Sequence, residues 1–173
     1  MFELPMYHKL LVVSDVAVIP YPDLSQKTAI VRYLTATAKV LGVECPKIAA
    51  IAPSEQLLAS VQSSVEAAVL AKMADRGQLG DVVLDGPLAL DVALFEEVAR
   101  TKHLSSPVAG DANCLLMPNL DAANVFFKSA NHLCNASLAA MVAGTKAPCV
   151  LTSRGDSAES KLYSIALAAL SAK

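Results

Sequence analysis

The sequence has 173 residues and is 54% hydrophobic but only 5% aromatic, which suits one domain with an aliphatic core. Lysine and arginine number 14 against 16 acidic residues, and no basic block occurs, so we expect no nucleic-acid partner. The amino terminus lacks a secretory signal, and no apolar run reaches the ~18 residues of a membrane span. We therefore expect a cytoplasmic protein with no membrane contact.

Short aliphatic runs alternate with longer stretches of helical periodicity along the whole chain. Buried strands are predicted at residues 9–14, 47–52, 82–85, 114–118 and 149–153. Helices are predicted at residues 23–41, 54–76, 88–101, 121–133, 135–143 and 157–171. Ser54 is a plausible cap for the second helix, and Gly42 and Gly77 are typical stops. The alternation predicts a single α/β domain over residues 1–173, an open and mostly parallel sheet with helices on both faces.

Cysteines and histidines show no metal-ligand spacing. The four cysteines are Cys45, Cys114, Cys134 and Cys149, and no CxxC pair is present. We expect small buried thiols, no disulfide framework and no metal.

Polar clusters follow several predicted strands, and the ends of parallel strands share one edge of a sheet. They are Ser14-Asp15, Asp85-Gly86-Pro87, Asn119 together with Asn124 and Lys128, and Thr152-Ser153-Arg154. Capping of the next turn explains Asp15 and Asp85 as well as function does. Asn124 and Lys128 are four apart on one helix face; Lys128 is either a surface charge or aimed at an anion.

The segment from Thr152 to Ser157 gives the strongest indication of a site. Asp156 and Glu159 have the spacing of a capping box that opens the last helix. Free N–H groups at that helix start and the Arg154 guanidinium would converge on one anion. The alternative is that Arg154 is a surface salt-bridge partner of Asp156. The seven glycines form neither GxGxxG nor GxxxxGK, so a dinucleotide or Walker-type site is not indicated.

Several ordered motifs together resemble the phosphate acetyl/butyryltransferase (phosphotransacylase) family, especially its butyryl branch. The motifs are Asp85-Gly86-Pro87-Leu88-Ala89-Leu90-Asp91, Ser106-Pro107-Val108-Ala109-Gly110-Asp111, Met117-Pro118-Asn119, the stretch from Asn124 to Lys128, and Leu151-Thr152-Ser153-Arg154-Gly155-Asp156-Ser157.

The resemblance implies acyl transfer between coenzyme A and orthophosphate, an isocitrate/isopropylmalate dehydrogenase-like fold, a dimer, and no metal or redox cofactor. It implies Ser153, Arg154 and Asp156 as catalytic residues, with Arg154 clamping phosphate and Ser153 beside the sulfur or the oxyanion. Asn119, Asn124, Lys128 and Asp85-Gly86-Pro87 would bind substrate. At the position where the acetyl branch has an aspartate that acts as a base, this sequence has Ser160. The resemblance then leaves three alternatives: Asp156 is the base, Glu159 is the base, or no base is needed.

The family also carries a preceding α/β domain that this sequence lacks, so the chain resembles the carboxyl-terminal part of a phosphotransacylase. One hypothesis is a phosphotransacylase, or its carboxyl-terminal domain, that is active only together with the missing half. Another is a catalytically incomplete binding or oligomerisation module of the same ancestry. A third is an unrelated flavodoxin-like binding domain.

Overall fold

Six strands form one sheet in the computed structural model, which describes residues 1–172. The strands are β1 (Phe2–Glu3), β2 (Leu10–Ser14), β3 (Lys47–Ile51), β4 (Val83–Leu88), β5 (Cys114–Leu116) and β6 (Ser137–Leu138). Their order across the sheet is β4-β3-β5-β2-β1-β6. The pairs β4–β3, β3–β5 and β5–β2 are parallel, whereas β1 runs antiparallel to both of its neighbours. The predicted mostly parallel sheet is confirmed.

Six helices connect or follow the strands. They are α1 (Leu24–Val40), α2 (Gln62–Asp75), α3 (Leu90–Leu94), α4 (Glu96–Thr101), α5 (Leu120–Leu133) and α6 (Ala158–Leu170). None of the helices in residues 1–172 is both long and apolar enough to cross a membrane.

Two cores lie on opposite faces of the sheet, because successive side chains of a strand point to opposite sides. Along β3, Ile48 and Ala50 pack in the core formed with α1 and α2. Ala49 and Ile51 pack in the other core, which contains buried residues of α3, α4 and α5. Helices therefore cover both faces, as the sequence predicts.

The predicted strand at residues 149–153 is wrong. Cys149 forms one isolated antiparallel bridge with Val142, and the segment does not join the sheet. Leu151, in the middle of the segment, is 75% exposed. Apolar composition alone could not distinguish this exposed segment from a buried strand.

The predicted helix at residues 135–143 is also wrong. Asn135 adopts a left-handed φ of 51°, which asparagine tolerates better than most residues and which stops helix propagation. The chain then turns into β6, where Leu138 pairs with Phe2 of β1. The small residues around β6 are therefore buried beside a strand of the sheet and do not form a helix of their own.

Two further boundaries differ from the prediction. β4 continues through Leu88, whose carbonyl accepts from the N–H of Ala52, so the next helix starts later and is split at extended Phe95. α2 starts at Gln62 instead of after Ser54, because the buried Ser64 hydroxyl ties down the preceding loop. It accepts from the Leu58 N–H at 2.9 Å and donates to the Gln56 carbonyl at 3.0 Å.

Only one of the four cysteines is buried, contrary to expectation. Cys114 lies in β5, and burial raises the pKa of its thiol to about 12. Cys45, Cys134 and Cys149 are exposed. Their neighbouring residues belong to loops and helix ends, which composition did not distinguish from core segments.

Candidate functional site

The carboxyl ends of β2, β3 and β5 lie at one edge of the sheet, and α1, α2 and α5 follow them. Asp15 follows β2, and its carboxylate accepts from the N–H groups of Ala17, Val18 and Ile19 at 2.9, 3.0 and 2.7 Å. This carboxylate holds the turn after β2, which agrees with the capping interpretation of Asp15.

Asp85, Gly86 and Pro87 lie within β4 and do not follow its end. The Asp85 carboxylate accepts from the N–H of Gly86 at 2.8 Å. A Cβ on Gly86 would stand 2.8 Å from both the Cβ and the carbonyl oxygen of Ala50, and 3.2 Å from the Cβ of Ala67. Gly86 thus allows β4 to approach β3 and α2 closely. That is a packing role, and the predicted substrate contact of these residues stays a prediction.

Asn119 caps α5. Its side-chain oxygen accepts from the N–H of Ala122 at 2.9 Å, which leaves its amide NH₂ free to donate. One turn later, the Asn124 side chain donates to the carbonyl of Val16 at 3.3 Å, so it faces the turn held by Asp15. The Lys128 ammonium lies 4.6 Å from the centroid of the Phe127 ring and is exposed. Asn124 therefore lies at the edge of the sheet where β2, β3 and β5 end. Within residues 1–172, Lys128 makes no contact that would hold it at this edge.

Ser153 and Asp156 form a tight exposed turn. The Ser153 N–H donates to the Asp156 carboxylate at 2.7 Å, and the Asp156 N–H donates back to the Ser153 carbonyl at 3.1 Å. Arg154 lies at the tip of this turn and is exposed; within residues 1–172 it has neither an ion pair nor a hydrogen bond from its side chain. The interpretation of Arg154 as a salt-bridge partner of Asp156 is therefore wrong.

The predicted capping box of Asp156 and Glu159 is wrong by one residue. Ser157 is the N-cap of α6, and its hydroxyl oxygen accepts from the Ser160 N–H at 3.1 Å. Asp156 is engaged in the preceding turn, and Glu159 accepts from the Tyr163 hydroxyl at 2.7 Å. Ser157 is the last extended residue before the helix, which is the position that a capping side chain must occupy.

A cavity of about 610 Å³, which was not predicted from the sequence, opens between the ends of β3 and β5. The helix after β3 packs on one face of the sheet and the helix after β5 on the other, which is where open α/β sheets place ligands. We call it the switch-point cavity; its lining includes Tyr21, Lys27, Gln62, Glu66, Pro118 and Asn119.

A buried ion pair lies in the wall of the switch-point cavity. Lys27 of α1 is 5% exposed, and its ammonium donates to the Glu66 carboxylate of α2 at 2.5 Å. The Gln62 side chain donates to the other carboxylate oxygen at 2.9 Å. A sequence signal existed, since Lys27 falls among the inward-facing apolar positions of α1, where a lysine needs a partner.

A second charged cluster lies at the opposite edge of the sheet. The Asp111 carboxylate contacts Lys47 at 2.7 Å, His8 at 3.2 Å and Lys9. Partial burial acts to raise the pKa of Asp111, but the hydrogen bonds from Lys47, Lys9 and His8 outweigh it and hold the pKa well below its usual range. This cluster joins three segments of chain and is far from the strand ends described above.

No group of three metal-ligating side chains occurs within residues 1–172.

Comparison with known proteins identifies a family that shares this sequence. The family model described as phosphate acetyl/butaryl transferase matches residues 1–169. A phosphate butyryltransferase from Clostridium acetobutylicum is 45% identical over 169 residues, which are 98% of this chain and 56% of that relative. A phosphate acetyltransferase from Thermotoga maritima is 41% identical over 168 residues, which are 97% of this chain and 57% of that relative.

A solved structure agrees with these sequence relatives. The crystal structure of a branched-chain phosphotransacylase from Enterococcus faecalis V583 matches with a TM-score of 0.90 and 35% identity. The match covers 99% of this chain and 61% of that chain. The chain spans a little over half the length of the curated relatives that it matches. It belongs to the phosphate acetyl/butaryl transferase family.

Proposed function

We propose that the chain is part of a phosphate acyltransferase that moves a short acyl group between coenzyme A and orthophosphate. The observation that carries the proposal is the family match over residues 1–169, which includes every motif at the strand ends and the 152–157 turn. The relatives are named as phosphate butyryltransferases and phosphate acetyltransferases.

In this reaction an oxygen of hydrogen phosphate attacks the thioester carbonyl, the new C–O bond forms, and the C–S bond breaks to release the coenzyme thiolate. The thiolate takes up the proton that the phosphate loses, so acyl phosphate and the free thiol are the products. Arg154 suits the phosphate, because its exposed guanidinium offers five N–H donors that no carboxylate in residues 1–172 occupies. The exposed Ser153 hydroxyl can donate to the developing oxyanion or to the sulfur. Asp156, bonded to the Ser153 N–H, fixes the turn that carries both and is our candidate base.

Asn119, Asn124 and Lys128 of α5, and Asp85, Gly86 and Pro87 of β4, complete the proposed set of substrate-binding residues. Because the chain spans only part of the length of its relatives, we propose that a second domain or a second copy of the chain forms the opposite side of this substrate site. Cytoplasmic location and the lack of any metal or redox cofactor belong to the same proposal.

The test measures phosphate binding and thiol release from butyryl-CoA for Arg154→Ala, with the chain alone and combined with the remaining segment of a relative. We expect a loss of about 100-fold or more in kcat/KM, since removal of one transition-state donor has effects of that size. Arg154→Lys should recover only part of the loss, because lysine lacks the bidentate fork.

Arg76→Ala is the matched control, since Arg76 is also exposed but lies at the end of α2. Phosphate affinity that is unchanged in Arg154→Ala, or lowered equally in Arg76→Ala, would remove Arg154 from the site.

One observation favours the second candidate function, a catalytically incomplete module that associates with a partner. α6 buries Ser160 and Ser164 against the domain, whereas Leu162, Ile165 and Leu170 are 63%, 59% and 64% exposed. An apolar stripe of this kind is typical of an interaction surface.

Light scattering after size-exclusion chromatography tests this alternative. If the α6 stripe mediates association, the chain elutes as an oligomer and Ile165→Glu shifts it to the monomer. Val65→Glu, at an exposed apolar position of α2, should not shift it. A monomeric chain at all concentrations tested would count against the association role.

A further inference from the structure

The switch-point cavity has unused hydrogen-bonding groups of both kinds. The Lys27 ammonium carries three N–H donors, of which one is used by Glu66 within residues 1–172. The Asn119 amide NH₂ is free to donate, since only its oxygen caps α5. The Gln62 side-chain oxygen is free to accept, since only its NH₂ is bonded to Glu66. A ligand that both donates and accepts fits this wall.

An aromatic ring is held at the mouth of the cavity. Tyr21 lines it and is 72% exposed, yet its hydroxyl donates to the Asp121 carboxylate of α5 at 2.9 Å. An exposed ring that is fixed at its far end offers a preformed face for stacking. Prolines 22, 53 and 118 supply further apolar surface in the same lining.

The charges of the lining argue against a bare phosphate. Asp23, Lys27 and Glu66 sum to one cation against two carboxylates, and a phosphate oxygen can only accept from the donors present. A neutral planar nucleobase would not be repelled by the two carboxylates, as a phosphate would be. Adenine presents an amine donor beside ring-nitrogen acceptors, a pattern that amide side chains match well. The volume of about 610 Å³ lies in the range of small-ligand sites.

We propose that the switch-point cavity binds an adenine-type base, stacked on Tyr21 and hydrogen-bonded to Lys27, Gln62 and Asn119. The inference rests on the proposed function for its natural ligand, the nucleoside end of coenzyme A. The reacting thioester and Arg154 have no part in this binding, so the two proposals can fail separately.

Isothermal titration of the chain with adenosine tests the inference, with inorganic phosphate and pantetheine titrated in parallel. We expect saturable adenosine binding that phosphate and pantetheine do not displace. Tyr21→Ala should weaken adenosine binding by about ten-fold or more, because base stacking on an aromatic ring contributes that much. Tyr21→Phe should retain most of the affinity, since the ring remains.

Tyr163→Ala is the matched control: Tyr163 is also an exposed tyrosine whose hydroxyl donates to a carboxylate, but it lies on α6 outside the cavity. It should bind adenosine like the unmodified chain. Lys27→Met should weaken binding in a variant whose thermal unfolding is cooperative. The Tyr21 variants decide the question if that buried substitution prevents folding.

The inference is overturned if adenosine does not bind at millimolar concentration, or if Tyr21→Ala and Tyr163→Ala bind it equally well. Coenzyme A binding that depends on Arg154 but not on Tyr21 would leave the proposed function standing and reject the cavity as the base site. Adenosine binding without acyl transfer in any combination would support the cavity as the base site and reject the proposed function.

Discussion

Gly110 occupies a position that no other residue can take without moving backbone. Its φ is +73°, and a Cβ there would stand 2.5 Å from both the Cα and the N of Glu96. The Gly110 N–H also donates to the carbonyl of Val92 at 2.9 Å, which ties the segment before β5 to α3. The loop therefore packs directly on the start of α4.

Gly110→Ala should lower the free energy of unfolding by about 2–4 kcal/mol, because steric overlap with backbone adds to left-handed strain. Gly77→Ala is the control: its φ is +70°, but nothing lies within 4 Å of the added Cβ. That variant should lose only about 1 kcal/mol. Urea unfolding measures both, and equal losses would show that the overlap with Glu96 is relieved at no cost.

Residue types indicated where functional groups collect better than they indicated what each group does. Gly86 stood out in the sequence, yet the close approach of Ala50 and Ala67 explains it by packing. Asn119 and Ser157 are both helix caps, but no capping role was predicted for Asn119, and the start of α6 was predicted in a box formed by Asp156 and Glu159. Arg154 could be predicted as exposed and near a helix start, but its freedom from Asp156 depended on the turn geometry.

Elements with a clear amphipathic period were predicted closely. α1, α5 and α6 differ from their predicted bounds by a residue or so at each end, because caps and apolar spacing are local properties. β1 and β6 were not predicted, and the exposed segment at 149–153 was wrongly predicted as a buried strand. An apolar segment can pair as a strand, pack against a helix or stay exposed. The outcome depends on contacts with residues that are distant in sequence.

Asp111 adds charged side-chain contacts at the edge where the paired strands β2, β3 and β5 begin. It contacts His8 and Lys9 before β2, and Lys47 at the start of β3, while itself leading into β5. Because these cations lower its pKa in the folded chain, the stabilisation is present above the unfolded pKa of about 4 and is lost as the pH falls below it.

Asp111→Asn should cost about 1 kcal/mol at pH 7, a modest figure because the carboxylate is partly exposed and screened. The difference from the unmodified chain should shrink as the pH is lowered from about 5 to about 2. Asp75→Asn, which alters an exposed pair with Lys72, should be neutral at every pH. Denaturation at several pH values measures this, and a difference that stays constant with pH would contradict the role of the charge.

At the scale of the whole molecule, the two charged groups of residues described above lie at opposite edges of the sheet. The Asp111 cluster lies where strands begin, and the Lys27–Glu66 pair lies where β3 and β5 end. The carboxyl edge was predicted as the place for ligands. The cavity itself was not, because it exists only where β5 is inserted between β2 and β3, and sequence order does not show that insertion.

The antiparallel strand β1 also constrains how the chain can assemble. Phe2 pairs with Leu11, which is close to it in sequence. It also pairs with Leu138, which is far from it in sequence. Bringing β6 to β1 closes the longest loop in the sheet, which has the highest entropic cost of closure among the strand pairs. We therefore expect β6, with α6 packed against it, to become ordered after the central strands during folding.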